Sequence, residues 1–131
     1  MHYNLFISHS WSYNDAYEKL VQMLNNVSRF TYRNYSVPKN DPIHNANNDK
    51  QLRAAIRNQM QHASCVLVLA GVYASYSKWI NIELELAEEM GKKIIAIEPW
   101  AAEKTSAIVK GYADKIVKWR SDSIVKAIRG Y

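Results

Sequence analysis

A run of six residues without a charged side chain, Cys65 to Ala70, limits the possible folds of this chain more than any other feature. The run reads Cys-Val-Leu-Val-Leu-Ala, and Ser64 and Gly71 bound it. A continuous apolar strand of this kind is typical of the centre of a parallel sheet whose two faces are both covered. The run therefore predicts an α/β fold.

The rest of the chain alternates short β-rich runs with helical stretches, the order expected of a parallel sheet covered by helices. We interpret this order as five βα units. The strands are predicted at about 3–8, 30–37, 64–70, 92–97 and 114–119, and helices at about 15–27, 49–62 and 79–90. The second strand is rich in polar residues, which favours a sheet edge. Since 131 residues is the length of one ordinary domain, a single domain over 1–131 is predicted.

The cysteine content and the N-terminal sequence indicate the compartment. Cys65 is the only cysteine, so it forms no internal disulfide, and a buried inert thiol in a reducing compartment is expected. Residues 1–7 lack the regions of a secretory signal, and no window approaches the ~20 apolar residues of a membrane span. These features predict a cytoplasmic protein without a membrane partner.

The net charge of +5 raises the question of an anionic partner. Residues 104–129 hold seven basic residues against two acids, Asp114 and Asp122, and a solvated basic surface is the simpler explanation. No basic run alternates with stacking aromatics, and no zinc-finger, helix-turn-helix or ribonucleoprotein signature is present. Neither nucleic-acid binding nor a metal site is expected.

The segment 79–90 is predicted to be a helix, although apolar and polar residues alternate over 80–86 as they do in a strand. The segment is rich in leucine, glutamate and alanine, which are strong helix formers, and Gly91 supplies a C-terminal stop. A better strand follows immediately at 92–97. These features outweigh the alternation.

Glu83 is the residue of this helix that packing does not explain. At about 100° per residue the apolar side chains form one arc, and Glu83 falls near the middle of that arc, one turn after Trp79. A carboxylate buried there either takes up a proton more readily than usual or needs a partner, so such acids are candidates for chemistry. The structural alternative is a salt bridge to Lys92 or to an arginine.

The expected place of Glu83 is the sheet edge at which open α/β proteins bind ligands, because the helix follows a central strand. The loop Ser8-His9-Ser10-Trp11-Ser12 ends at the same edge and offers hydroxyl and imidazole groups for a ribose or a phosphate. Taken singly, such residues are more often loop or capping residues. The long irregular segment 36–48 is either a functional loop or a simple connector.

Three segments follow one another along the chain: Leu5-Phe6-Ile7-Ser8-His9-Ser10, Ser77-Lys78-Trp79 with Glu83 four residues later, and Lys93-Ile94-Ile95-Ala96-Ile97. Together they resemble a TIR-type domain, and most closely the bacterial TIR-like domains of the Thoeris anti-phage system. The chain departs from the family at Ile80, where a cysteine often follows the tryptophan. The Arg-Asp and Pro-Gly features of signalling-adaptor loops are absent from 36–48, which argues against an adaptor.

The resemblance implies a flavodoxin-like, three-layer α/β/α fold with a five-stranded parallel sheet in the order 2-1-3-4-5. For catalytic TIR domains it also implies cleavage of the nicotinamide–ribose bond of NAD, which is then a substrate and not a cofactor. Glu83 matches the catalytic glutamate of the family. The further groups expected around the nucleotide are Phe6, Ser8, His9, Trp11, Asp41 and Trp79.

By the same resemblance, the product is an ADP-ribose-derived messenger that activates a separate effector protein, after a signal from infection. The sequence leaves three alternatives for the group that accepts the ADP-ribosyl unit: water, an adenosine group of the same molecule, or another nucleophile. Self-association through TIR contacts is also expected.

A non-catalytic TIR module that acts by assembly is the main alternative, and it would not depend on Glu83. An ordinary response receiver is disfavoured because the first strand is followed by Ser8-His9 in place of an acidic pair. A flavodoxin is disfavoured because the loop at 8–12 has no glycine with which to surround a phosphate.

Overall fold

The apolar run around Val66 becomes the central strand of a five-stranded parallel sheet. A computed structural model of the chain describes residues 2–8, 15–35, 49–69, 78–98 and 111–130. The strands are β1 (His2–Ser8), β2 (Thr31–Asn34), β3 (Cys65–Leu69), β4 (Lys93–Ile97) and β5 (Lys115–Val117). The helices are α1 (Asp15–Asn25), α2 (Asp49–Met60), α3 (Lys78–Glu89) and α4 (Ser121–Arg129).

The strand order is β2-β1-β3-β4-β5, and every neighbouring pair is parallel. This is the flavodoxin-like order 2-1-3-4-5, which confirms the predicted fold class. Two rows of register partners run across the central strands, one from Phe6 through Val66 to Ile94 and the next from Ser8 through Val68 to Ala96. The second row lies at the carboxyl side of the sheet.

Alternate side chains of the strands enter two separate cores, one on each face of the sheet. Phe6, Val66 and Ile94 pack with α2 and α3, in what we call the α2/α3 core. Leu5, Ile7 and their neighbours pack with α1 and α4 on the opposite face. Because both faces are covered, β3 is apolar throughout its length, as the central strand of a three-layer fold requires.

The turn from α3 into β4 follows from one glycine. Gly91 has φ 70°, in the left-handed region that a residue without a Cβ adopts most easily. The Lys92 N–H donates to the Ala87 carbonyl oxygen and the Gly91 N–H to that of Glu88, the two bonds of a Schellman motif. The turn ends α3 at the amino edge of the sheet, so α3 runs from the carboxyl edge to the amino edge.

The predicted elements agree with the observed ones to within a few residues at each end. The polar second strand is an edge strand, as predicted, and is mostly exposed. It is shorter than the predicted 30–37, since Tyr35 is no longer in the strand and 36–37 lie outside the described residues. No bounds were predicted for α4, although Ile124, Val125, Ala127 and Ile128 give it a buried face.

No helix in the described ranges is both long enough and apolar enough to cross a membrane.

Candidate active site

Glu83 lies at the centre of the buried face of α3, and its exposed fraction is 1%. Ile82 and Leu86 on one side and Leu84 and Ala87 on the other are buried, with exposed fractions of 0–3%. At about 100° per residue, Glu83 is in the middle of the arc that these four residues define. It is also the only buried charged residue among those that the structure describes. The predicted position of the acid is therefore confirmed.

The helix direction places Glu83 toward the carboxyl edge of the sheet. Five residues separate it from Lys78 at the start of α3, or about 8 Å along the helix axis. The Cα–Cβ bonds of a helix tilt toward its N-terminus, which in α3 is the end at the carboxyl edge. The Glu83 side chain thus extends from the middle of the helix toward the edge where α/β proteins bind ligands.

Two of the cations that the sequence offered as salt-bridge partners are used in other contacts. Lys92 Nζ donates to the Gln61 carbonyl oxygen at 3.3 Å, and Arg57 pairs with Glu89 at 3.1 Å. Glu83 itself does take part in another interaction. Lys92 therefore contacts Gln61, and it does not form the salt bridge to Glu83 that was one interpretation of the sequence.

The outer flank of α3 is joined to α2 by two ion pairs, which we call the α2–α3 ion pairs. Arg53 bonds Glu85, and Arg57 bonds Glu89. Both arginines and both glutamates are four residues apart in their helices, so each pair is one helical turn from the other. The sequence does not identify these pairs, because the spacing of the arginines in α2 does not show which acids face them.

The sheet side chains that pack in the α2/α3 core are apolar. Phe6 is fully buried in the α2/α3 core together with Ile82 and Leu84, the neighbours of Glu83 in the chain. The next row toward the carboxyl edge contains Val68 and Ala96, both with no exposed surface.

The other residues predicted for the site are only partly described. Ser8 ends β1 and pairs with Val68 in the register of the sheet, but its side chain is outside the described set. Trp79 lies in α3 one turn before Glu83, and its side chain is likewise outside. The predictions for His9, Trp11 and Asp41 fall on residues that the structure does not describe.

Glu98 is a carboxylate at the carboxyl edge that the sequence reasoning passed over. It directly follows β4, and its carboxylate lies 3.1 Å from Lys118 Nζ. The sequence could have indicated Glu98 as a candidate, because it is an acid immediately after a buried strand and ligand-binding residues concentrate at that position in α/β folds.

Cys65 and the possible metal ligands of the described ranges were two further candidates for chemistry. Burial raises the pKa of the Cys65 thiol to about 12, which makes it unreactive at neutral pH and agrees with the expected inert thiol. Within the described ranges, no group of three or more His, Cys, Asp or Glu residues is arranged to hold a metal ion.

A groove of about 590 Å³ lies between α1 and α4, on the face of the sheet opposite to Glu83. Met23, Val27, Val125 and Lys126 are among the residues that line it. Among the residues predicted for the active site, those that the structure describes do not line it. The groove is thus separate from the candidate active site.

The family model of the Thoeris protein ThsB, TIR-like domain, matches residues 6–104. The chain belongs to this family. The matched range of the TIR-like domain runs from β1 through β4 and contains Glu83 and every other residue predicted for the site. Membership assigns the domain to the Thoeris anti-phage system. A search of curated proteins found no significant match.

Proposed function

We propose that this TIR-like domain cleaves the nicotinamide–ribose bond of NAD, with Glu83 as the catalytic carboxylate. The observation that carries the proposal is the 1% exposure of Glu83 at the centre of an otherwise apolar helix face. A leucine or methionine there would serve packing better, because burying a carboxylate costs free energy. A costly acid near the ligand-binding edge of an α/β fold is best explained by chemistry.

The reaction suits a single carboxylate. Nicotinamide is a cationic pyridinium while it is attached to C1′ of the ribose, and it leaves as a neutral molecule. The C1′–N bond breaks, its electron pair stays on the nicotinamide nitrogen, and the positive charge passes to the ribose. No proton has to be supplied to the leaving group. A carboxylate close to C1′ stabilises the oxocarbenium-like transition state and can also accept hydrogen bonds from ribose hydroxyls.

The acceptor then forms a new bond to C1′ and loses its proton. Water as acceptor gives ADP-ribose, and an adenosine group of the same molecule gives a cyclic isomer. We propose that the product diffuses to a separate effector protein in the cytoplasm, the compartment that the single reduced thiol of Cys65 favours. NAD is a substrate in this scheme, and no resident cofactor is invoked.

The burial of Glu83 gives the proposal a structural requirement. With 1% of its surface exposed, the carboxylate does not touch a ribose in the described conformation. The site therefore has to open at the carboxyl edge before NAD reaches it, and infection-dependent activation with self-association of TIR domains is the proposed cause. Phe6, Ser8, His9, Trp11, Asp41 and Trp79 are proposed to surround the nucleotide once it is bound.

The test is chromatography of NAD after incubation with the purified protein, with and without lysate from phage-infected cells. Wild-type protein should release nicotinamide in the presence of the lysate, and Glu83→Gln should release none above background. Glu88→Gln is the matched control, because Glu88 is an exposed glutamate on the same helix. It should retain wild-type activity.

Two results would oppose the proposal. Equal nicotinamide release by Glu83→Gln and wild type would remove Glu83 from the chemistry. An intact NAD pool in every activated sample, with defence against phage preserved, would favour the module that acts by assembly alone.

A further inference from the structure

We propose that Arg53 and Arg57 are positioning residues for Glu83, acting through their ion pairs with Glu85 and Glu89. This inference rests on the proposed function of Glu83. The Arg53–Glu85 and Arg57–Glu89 bonds are both made on the outer flank of α3. Their effect is on the rotation of α3 about its own axis.

The geometry of an α-helix connects the two sides of α3. At about 100° per residue, Glu85 and Glu89 are about 40° apart, and Glu83 lies about 120–160° from them. Holding the two outer glutamates against α2 therefore fixes the direction in which Glu83 points. Two contacts one turn apart constrain both the rotation of α3 and its sliding along α2.

The orientation of α3 needs such a constraint, because the free-energy cost of burying the Glu83 carboxylate opposes this orientation. The apolar neighbours Ile82, Leu84, Leu86 and Ala87 favour the buried arc as a whole. The carboxylate at the centre of the arc favours any rotation that brings it nearer to water. The α2–α3 ion pairs act against that rotation from the solvent side.

A small rotation has a large catalytic effect. Side-chain ends lie about 5–6 Å from the helix axis, so a rotation of 10° moves the carboxylate by about 1 Å. A displacement of that size is enough to reduce turnover on the order of 100-fold in a site that depends on orientation. Exposed ion pairs contribute little to overall stability, so turnover and stability should respond differently to their loss.

The Arg57–Glu89 pair gives the cleaner experiment, since its two side chains are 48% and 60% exposed and tolerate substitution. We expect Arg57→Glu to lower kcat for nicotinamide release by about tenfold. This is less than the loss of about 100-fold for a displacement of 1 Å, because the Arg53–Glu85 pair remains in place. The KM for NAD and the midpoint of thermal unfolding should stay near wild type. Glu89→Arg should behave in the same way, and the double variant with exchanged charges should recover most of the turnover.

The matched control is the Arg120–Asp122 pair, which is 70% exposed on both sides and lies at the start of α4. Arg120→Glu should leave kcat unchanged. Unchanged kcat in Arg57→Glu would overturn the proposal. Loss of kcat in exact parallel with a loss of thermal stability, or failure of the exchanged pair to recover turnover, would also overturn it.

A measurement without NAD separates this inference from the proposed function. The carboxyl ¹³C resonance of Glu83 should shift in Arg57→Glu and return in the exchanged double variant, whereas Arg120→Glu should leave it in place. If wild type cleaves no NAD yet the resonance follows this pattern, the ion pairs position Glu83 and the proposed function is wrong. If the resonance does not respond to Arg57→Glu, the positioning role is wrong, whatever the activity.

Discussion

Replacing Glu83 by methionine should stabilise the fold and abolish activity. Methionine has a similar length and no charge, and it adapts to irregular surroundings in a core. The substituted side chain would join Ile82, Leu84 and Leu86 on a face that is already buried. The variant thus removes the cost of burying a carboxylate without creating a cavity.

The size of the effect follows from that burial. Leaving a buried polar atom without a hydrogen bond costs about 1–3 kcal/mol, and among the residues that the structure describes Glu83 Oε2 is such an atom. A gain of about 2 kcal/mol in the free energy of unfolding corresponds to about 6–10 °C in Tm for a chain of this length. The Glu88→Met variant, at an exposed position of the same helix, should stay within about 0.5 kcal/mol of wild type.

Thermal unfolding followed by circular dichroism, with urea unfolding as a second measure, tests the prediction. A lower Tm for Glu83→Met than for wild type would refute the reasoning. It would mean that the carboxylate is part of a buried pair whose loss leaves the partner uncompensated, and that Glu83 serves the fold.

Two further predictions concern stability and reactivity. The Cys65 thiol has a pKa of about 12 in the folded protein against an ordinary value of 9.0, so above pH 9 the folded state keeps a proton that the unfolded chain loses. The free energy of unfolding should therefore be constant with respect to this group below about pH 9 and fall by about 1.4 kcal/mol per pH unit above it. Urea unfolding from pH 7 to 10 measures this fall, and equal pH slopes for wild type and Cys65→Ala would contradict the prediction. Gly91→Ala should lower the free energy of unfolding by about 1–2 kcal/mol because of its φ of 70°, even though nothing lies within 4 Å of the added Cβ. Gly111→Ala, where the added Cβ also has open space and the backbone is helical, should be neutral or stabilising in the same urea experiment, and an equal loss at both positions would contradict the explanation.

The sheet was largely predictable because its strands differ in burial. An uninterrupted apolar strand such as β3 has to be central, and a polar one such as β2 has to be at an edge. The order of the strands in the sheet came from a resemblance and not from the pattern, since hydrophobicity does not tell which strands are neighbours. The ends of strands were less predictable, as the hydrogen bond from Lys92 to Ala87 shows: Lys92 completes the turn after α3 and does not begin β4.

The place of Glu83 on the buried face of α3 was predictable, because helical periodicity shows on which side of a helix each residue lies. The alternation over 80–86 favoured a strand, and the helix-forming residues, Gly91 and the better strand that follows at 92–97 together favoured a helix. The α2–α3 ion pairs were not predicted, because the spacing of the arginines in one helix does not show which acids face them. That information comes only with the packing of α2 against α3.

The kcat for nicotinamide release by Glu83→Gln, compared with wild type in the presence of the activating lysate, decides whether Glu83 is the catalytic carboxylate. Glutamine preserves the size of the side chain and removes the negative charge that stabilises the ribose cation. We expect a loss of at least about 100-fold in the Glu83 variant, with Glu88→Gln at the wild-type rate. A Glu83→Gln enzyme that turns over NAD within a few-fold of wild type would contradict it.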